Sequence, residues 1–272
     1  MPDNLNPQRK EMADESMVRN LAAQADAIWP QERPLFDRYR LPADANVLDA
    51  GCGTGEITLR LGEMWPHARV LGVDVIGDHL ERARVRCAGL GGRVRFENRS
   101  IFDLGLAAAT YDLVVCRHVL QAIPHAERAI AELVRVTRSG GWIHLIAEDY
   151  LMMHFEPRRL DPDDFWTRGP RQFGDAIGTD LRIGRKAYGI VRRLGLVDVT
   201  IDYLVVDPLR VPRETFAAIW AAWRDGFADI VSANTSMTRD EFVDQFDDMI
   251  ATIHDPLGYG VWHVPVVAAR VP

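Results

Sequence analysis

The chain has 272 residues, 47% hydrophobic and 26% charged, which excludes both a disordered polymer and a membrane-embedded bundle. Acidic residues outnumber basic ones by 39 to 32, a formal net charge of -7, the wrong sign for a chain that grips nucleic-acid phosphates non-specifically. Three cysteines, Cys52, Cys87 and Cys116, lie far apart without CxxC spacing, so no disulfide framework or thiolate zinc site is expected and a reducing compartment suits them.

In chain order, Met1 to Asn20 is polar and lacks the apolar run of a signal peptide. No window approaches a membrane-spanning length, and the expected location is cytoplasmic. Residues 16–40 carry Leu21, Ala25, Ile28 and Trp29 at helical spacing. A short strand ending in Val47-Leu48 then enters a glycine-rich turn, and Glu56–Met64 reads as helix. The alternation continues through strand Arg69–Asp74, helix Gly77–Cys87, strands Val94–Asn98 and Tyr111–Cys116, helix Glu127–Val136 and strand Trp142–Ala147. Strands separated by helices predict an α/β fold around a mostly parallel sheet with right-handed crossovers.

Beyond Ala147 the rhythm changes. Residues 148–180 are rich in Pro, Asp, Arg and aromatics without a period. Helix Arg185–Leu194, strand Val197–Val206, a mostly helical stretch over 213–250 and strand Val261–Ala269 follow. A single domain over 1–272 is expected. Its cofactor-binding core is 16–147, segments 185–206 and 261–269 complete the sheet, and 148–180 and 213–250 form a lid.

Gly51, Gly53 and Gly55 follow a strand and precede a helix, where glycine lets the chain turn sharply and a ligand approach the backbone. Asp49 sits just before them, where a dinucleotide's pyrophosphate would be repelled but the ammonium and sulfonium of S-adenosyl-L-methionine (SAM) would be tolerated. Glu56 occupies the place of the last glycine in the dinucleotide fingerprint, which makes a nicotinamide-dependent oxidoreductase the lesser reading. Asp74 ends the second strand about twenty residues on, placed to accept from both ribose hydroxyls.

The segment Val47-Leu48-Asp49-Ala50-Gly51-Cys52-Gly53-Thr54-Gly55 resembles the first motif of class I SAM-dependent methyltransferases. Val73-Asp74-Val75, Tyr111-Asp112-Leu113-Val114-Val115-Cys116 and Arg135-Val136-Thr137-Arg138-Ser139-Gly140-Gly141 match its later motifs in order. The resemblance covers residues 16–206 well and the remainder loosely. It implies a Rossmann-like seven-stranded sheet in the order 3-2-1-4-5-7-6 with the seventh strand antiparallel, and SAM as cofactor. It also implies cofactor contacts from Gln24, Val75, Cys116 and Arg117. Many members carry an adenine-binding aspartate after the third strand; here that place is Ser100, followed by Ile101 and Phe102, and these three are expected at the adenine edge. Asp103 more naturally supports the loop.

Methyl transfer is an in-line displacement on an activated donor, so the protein supplies alignment, exclusion of water and a base where one is needed. The reacting atoms are expected beyond the carboxyl ends of strands 4 and 5. That selects His118, Glu148, Asp149, Tyr150 and, further on, His154 as catalytic candidates, with His118 or His154 as base. His144, inside a strand, reads as a satisfied core histidine. No spacing matches a metal site. Phe155, Trp220 and Trp223 are candidates for an apolar acceptor pocket, and Arg182, beside Arg185 and Lys186, for recognition of an acidic group. The expected activity is methylation of oxygen, nitrogen or carbon on a small acceptor, by a monomer or homodimer. The alternatives are a SAM-binding protein without methyl transfer, cyclase-like or a partner subunit, and an RNA methyltransferase.

Overall fold

Val47, Leu48 and Ala50 are fully buried because strand β1 (Asn46–Ala50) runs through the middle of the sheet with both faces covered. Strands β2 (Arg69–Asp74) and β4 (Tyr111–Arg117) flank it in parallel. Beyond them lie β3 (Val94–Asn98), next to β2, and β5 (Thr137–Ile146), next to β4, again parallel. The computed structural model describes residues 4–272; residues 1–3 of the polar N-terminal segment lie outside the described residues.

Strand β8 (Tyr259–Arg270) is antiparallel and pairs with β5, β6 (Met153–Glu156) and β7 (Val197–Val206). Trp262 pairs with both Met153 and Val206, and Val266 with both Ile146 and Asp202. Strands β5 and β6 therefore share one edge of β8, and β7 holds the other. The order is β3-β2-β1-β4-β5-β8 with β6 and β7 both attached to β8. The expected order holds with β7 and β8 as sixth and seventh strands. The eighth strand, β6, is a correction: four residues within the aperiodic segment are too few to reveal a period of two in the sequence.

Helices α1 (Arg9–Met12) and α2 (Glu15–Glu32) come first, with the Asp14 carboxylate accepting from the Ser16 amide at the start of α2. The predicted helix over 16–40 is shorter than expected, because Arg33–Tyr39 tightens into a 3-10 turn with Pro34 in its first turn. Helices α3 (Glu56–Met64), α4 (Gly77–Arg86) and α5 (Ala126–Val136) make the crossovers. The spacing of Ala129, Ile130, Leu133 and Val136 buries one face of α5 against Leu48, Val114 and Ile143. On the opposite face of the sheet, Phe36, Tyr39, Ile57 and Leu61 cover Val47, Val70, Leu113 and Val115.

The segment after β5 is more regular than its composition predicts. It holds β6, short helices α6 (Pro162–Trp166) and α7 (Gln172–Ile177), and α8 (Gly184–Arg193). Helices α9 (Arg213–Asn234) and α10 (Arg239–His254) form an antiparallel pair, and Thr238 and Glu241 close a reciprocal capping box at the start of α10. Their apolar faces join α6, α7 and β8 in a core of their own around Phe165, Phe216, Trp220, Phe242, Phe246 and Trp262. No helix among the described residues is long and apolar enough to cross a membrane.

Candidate active site

The sequence order of the strands reverses between β1 and β4, and a cavity of about 160 Å3 opens there, beyond the carboxyl ends of β1, β2 and β4. The glycine turn forms its floor. The amides of Gly51 and Cys52 donate to the Val73 carbonyl at 2.8 and 3.0 Å, which ties the turn to β2. Gly51 has φ of +76°, a backbone state that side chains disfavour, and an added Cβ would run into Val119. Gly55, with φ of +80°, lets the start of α3 close on Ala83 of α4.

Two acids shape the electrostatics of this end. Asp49 is buried and accepts from the Thr58 hydroxyl at 2.6 Å. Burial pushes its carboxyl up to about 6, against the opposing pull of the Thr58 hydrogen bond and Arg117. Asp74 is held by the Gly53 and Ile76 amides, each donating to one carboxylate oxygen at 2.9 Å. The lining also includes Gln24, Val75, Ile101, Arg117 and His118.

His118 follows β4 with φ of +55°, an uncommon state for a residue with a side chain. Its amide donates to the Ile146 carbonyl at 3.1 Å, and its Nδ1 is hydrogen-bonded to Oε1 of Glu148. Glu148 is fully buried, and its second oxygen accepts from the Trp262 indole N–H at 3.2 Å. The opposite ring nitrogen, Nε2 of His118, is buried without a hydrogen-bond partner in a residue that lines the cavity. A carboxylate that accepts a hydrogen bond from Nδ1–H keeps the proton there and leaves Nε2 as the basic nitrogen, which is the arrangement of an oriented general base.

A second buried network supports the other wall. Glu32, at the end of α2, accepts from Arg117 Nε at 2.8 Å and is 3.0 Å from His144 Nε2. Burial alone would raise the Glu32 carboxyl, but Arg117 and His144 outweigh it and hold it at about 2. The Tyr39 hydroxyl meets His144 Nδ1 at 2.6 Å, and the imidazole stacks on Phe36 at 4.4 Å, so His144 is a satisfied core residue as its position in a strand predicts. Arg117 Nη2 has no partner among the described residues. Asn20 Oδ1 and Gln8 Nε2, in two further lining residues, are likewise buried and unpaired. Unpaired buried polar atoms around one cavity give it hydrogen-bonding capacity directed at a polar ligand.

Several candidates from the sequence sit elsewhere. Cys116 points into the sheet core because alternation along β4 turns it away from the neighbouring Arg117, and burial raises the Cys116 thiol. Gly55 does not line the cavity; its role is the close approach of α3 to α4. Ser100 accepts from the Phe102 amide at 3.3 Å, and Phe102 lies under Arg128, so of the expected adenine group only Ile101 reaches the cavity. Asp103 accepts from the Gly105 amide at 3.2 Å and supports its loop. Asp149 is buried in a bidentate pair with Arg185 at 2.6 and 2.8 Å, and Glu148 lies behind His118 rather than in the cavity.

His154 is exposed, because along β6 the neighbouring Met153 takes the inward position. Phe155 packs against Phe216 and Trp220 and lines neither this cavity nor the apolar one beside it. Arg182 lines a separate recess with Arg171 and Thr179. Tyr150, Trp220 and Trp223 are where an acceptor pocket needs them: Tyr150 and Trp223 line the main cavity and its apolar neighbour, and Trp220 lines the neighbour.

Other wall residues carried no signal in their local spacing. Gln8, Arg9 and Met12 reach the cavity from α1 and its start, and His79, Arg99 and Gln121 from elsewhere. The buried acid Glu32 carries the one signal available beforehand, a glutamate near the end of a helix whose other face is apolar. No group of His, Cys, Asp and Glu that could hold a metal ion occurs among the described residues.

The methyltransferase-domain family matches residues 47–141. A probable methyltransferase, ltbC of Aspergillus luteorubrus, is 33% identical over 50% of this chain and 51% of its own. The SAM-dependent Diels-Alderase iccD of Talaromyces variabilis is 26% identical over 89% of this chain and 80% of its own. The chain spans about half the length of the first curated relative it matches. Phosphoethanolamine N-methyltransferase 2 of Haemonchus contortus, solved in complex with SAM, superposes with a TM-score of 0.60 at 16% identity, over 100% of this chain and 61% of that one. Residues 47–141 are thus similar to a methyltransferase domain, and the chain shares its fold with the solved Haemonchus enzyme.

Proposed function

We propose that the chain binds SAM in the cavity at the β1–β4 reversal and methylates a small acceptor at an oxygen or nitrogen that must lose a proton. The observation that carries the reading is His118, whose Nδ1 is held by buried Glu148 while Nε2 is left unpaired at the cavity. The residues present fit the cofactor: Asp49 suits its ammonium, Arg117 Nη2 its carboxylate, Asp74 its ribose, and Val75 and Ile101 an apolar slot for adenine. When bound, SAM supplies an activated methyl carbon. The chain's own part is to exclude water with the aromatic roof of α9 and to align the acceptor. His118 Nε2 takes the acceptor's proton, and Glu148 stabilises the imidazolium that results. Acceptor carbon is the less favoured site, because an oriented base serves an acidic O–H or N–H first.

A second reading has one observation in its favour. A relative matched over 89% of this chain bears the name of a Diels-Alderase, so a SAM-binding catalyst without methyl transfer is the alternative. Three unpaired, buried cysteines support a reducing, cytoplasmic setting, and the acidic net charge favours a small acceptor over RNA. Titration calorimetry with SAM, followed by mass-spectrometric detection of S-adenosylhomocysteine in a screen of phenols and amines, tests the proposal. No heat on titration removes it. Binding without S-adenosylhomocysteine from any acceptor, alongside cyclised products from polyenes, moves the assignment to the second reading.

A further inference from the structure

Beside the polar cavity lies a second one of opposite character, walled by Met153, Phe165, Phe173, Trp220, Phe242 and Phe246 among others. No charged residue lines it among the described residues. Most of its walls come from α6, α7, α9 and α10, which stand outside the sheet, with Met153 of β6 added from the sheet itself. It shares Gln8, Tyr150, Trp223 and Phe227 with the polar cavity, so the two adjoin along that line of side chains. Trp262 connects them from behind, lying 6.0 Å from the His118 ring and 5.4 Å from Trp223.

Hydrogen-bonding capacity in the apolar cavity is scarce and directional. The Trp220 indole N–H is spent on Met249 Sδ at 3.3 Å. The Tyr150 hydroxyl is deeply buried, and burial raises its ionisation well above the usual tyrosine range, so it stays neutral. Gln8 is nine-tenths buried and presents an amide nitrogen with no partner. That leaves two neutral groups at the junction of the cavities, the Gln8 amide and the Tyr150 hydroxyl with its Gln121 hydrogen bond, and hydrocarbon beyond them.

We infer that the apolar cavity receives the body of the acceptor, and that the acceptor is uncharged and largely hydrocarbon beyond its reacting end. It carries one ionisable hydroxyl or amine for His118 and one neutral oxygen, a carbonyl or ether, for Gln8. The physical reason is desolvation. A carboxylate or phosphate drawn into this enclosure loses its hydration and meets no cation, whereas each buried methylene gains affinity. Carboxylate acceptors are therefore excluded by cost rather than by shape. The inference deepens the methyltransferase reading and rests on it for the direction in which the acceptor points.

The test uses the full chain saturated with S-adenosylhomocysteine and measures dissociation constants by calorimetry for 4-hydroxyacetophenone, 4-hydroxyhexanophenone and 4-hydroxybenzoate. The expected result is at least tenfold tighter binding of the hexanoyl than of the acetyl ketone, with 4-hydroxybenzoate weakest. Phe246→Ala should remove most of the gain from the longer chain, and Trp166→Arg, at the half-buried rim, should improve 4-hydroxybenzoate relative to the ketones. Cofactor affinity unchanged in both variants shows that they are folded. Equal affinities across the series, or preference for the benzoate, overturn the inference and leave the cofactor site standing. Tight binding of the hexanoyl ketone by a chain that gives no heat with SAM upholds the apolar pocket and defeats the methyltransferase reading instead.

Discussion

The indole N–H of Trp262 donates to Oε2 of Glu148 at 3.2 Å, the oxygen that His118 leaves free. A buried carboxylate with both oxygens engaged is fixed in orientation, and it fixes the imidazole in turn. Trp262 belongs to β8, the strand that ties β5 to β6 and β7, so the proposed base is positioned by the late half of the chain although His118 belongs to the early half.

This arrangement makes His118 and Glu148 separable from cofactor binding. His118→Gln should lower kcat with the best acceptor by roughly a hundredfold to ten-thousandfold, the usual range for loss of a general base. The dissociation constant for SAM should stay within about twofold. Glu148→Gln should lower kcat less and displace the pH–rate profile, which stopped-assay rates between pH 5.5 and 9 would record. A normal kcat in the His118 variant removes it as the base.

Asp74 should act on the cofactor alone. Asp74→Ala is expected to weaken SAM by about 2 kcal/mol, the usual worth of hydrogen bonds to a charged partner. Part of that loss comes through the Gly53 and Ile76 amides, which the carboxylate now holds. Calorimetry reads it, and an unaltered dissociation constant rejects the ribose role.

Asp49 should trade stability for affinity. Its carboxyl stands at about 6 in the folded chain against an ordinary value of 3.8, so the folded state binds the proton more tightly than the unfolded one. The sign follows: its contribution falls as pH rises from 3.8 through 6, and the full penalty, on the order of 3 kcal/mol, is present above that. Asp49→Asn should therefore raise Tm at pH 7.5 and leave it unchanged near pH 3.5. A cationic ligand favours the ionised acid, so SAM affinity in the unsubstituted chain should weaken as pH falls below about 6, and Asn at position 49 should abolish that dependence.

The Arg117–Glu32 pair should matter for folding. Glu32→Gln leaves the buried guanidinium without its counter-charge, and loss of one partner of a buried pair typically costs about 3–5 kcal/mol. Urea denaturation at pH 7 measures the change. A loss below about 1 kcal/mol would mean that water reaches the pair.

Gly51→Ala should fail for two reasons at once. Its φ of +76° disfavours any side chain by roughly 1–2 kcal/mol, and the new Cβ meets Val119. Combining it with Val119→Ala should recover part of the Tm by relieving the clash but not the backbone strain. Full recovery in the double variant would show that strain contributes nothing.

The first five strands along the chain, the glycine turn and the acids Asp49 and Asp74 were legible in the sequence by itself, whereas the spatial order of the strands came only with the family resemblance. Each of the former depends on local spacing: period two or near-continuous burial for strands, 3.6 for helices, and glycine where the chain must turn. Strand β6 was not legible, since four residues carry too little pattern. Nor was the division of labour among Glu148, Asp149 and His154, three acceptable candidates by position. Tertiary structure alone decided it, because partners far away in sequence, Trp262 for Glu148 and Arg185 for Asp149, claim those side chains, and the pleat turns His154 outward. Local periodicity sets which face a residue occupies, whereas the charge or proton it holds is set by whatever the fold brings within about 3 Å of it.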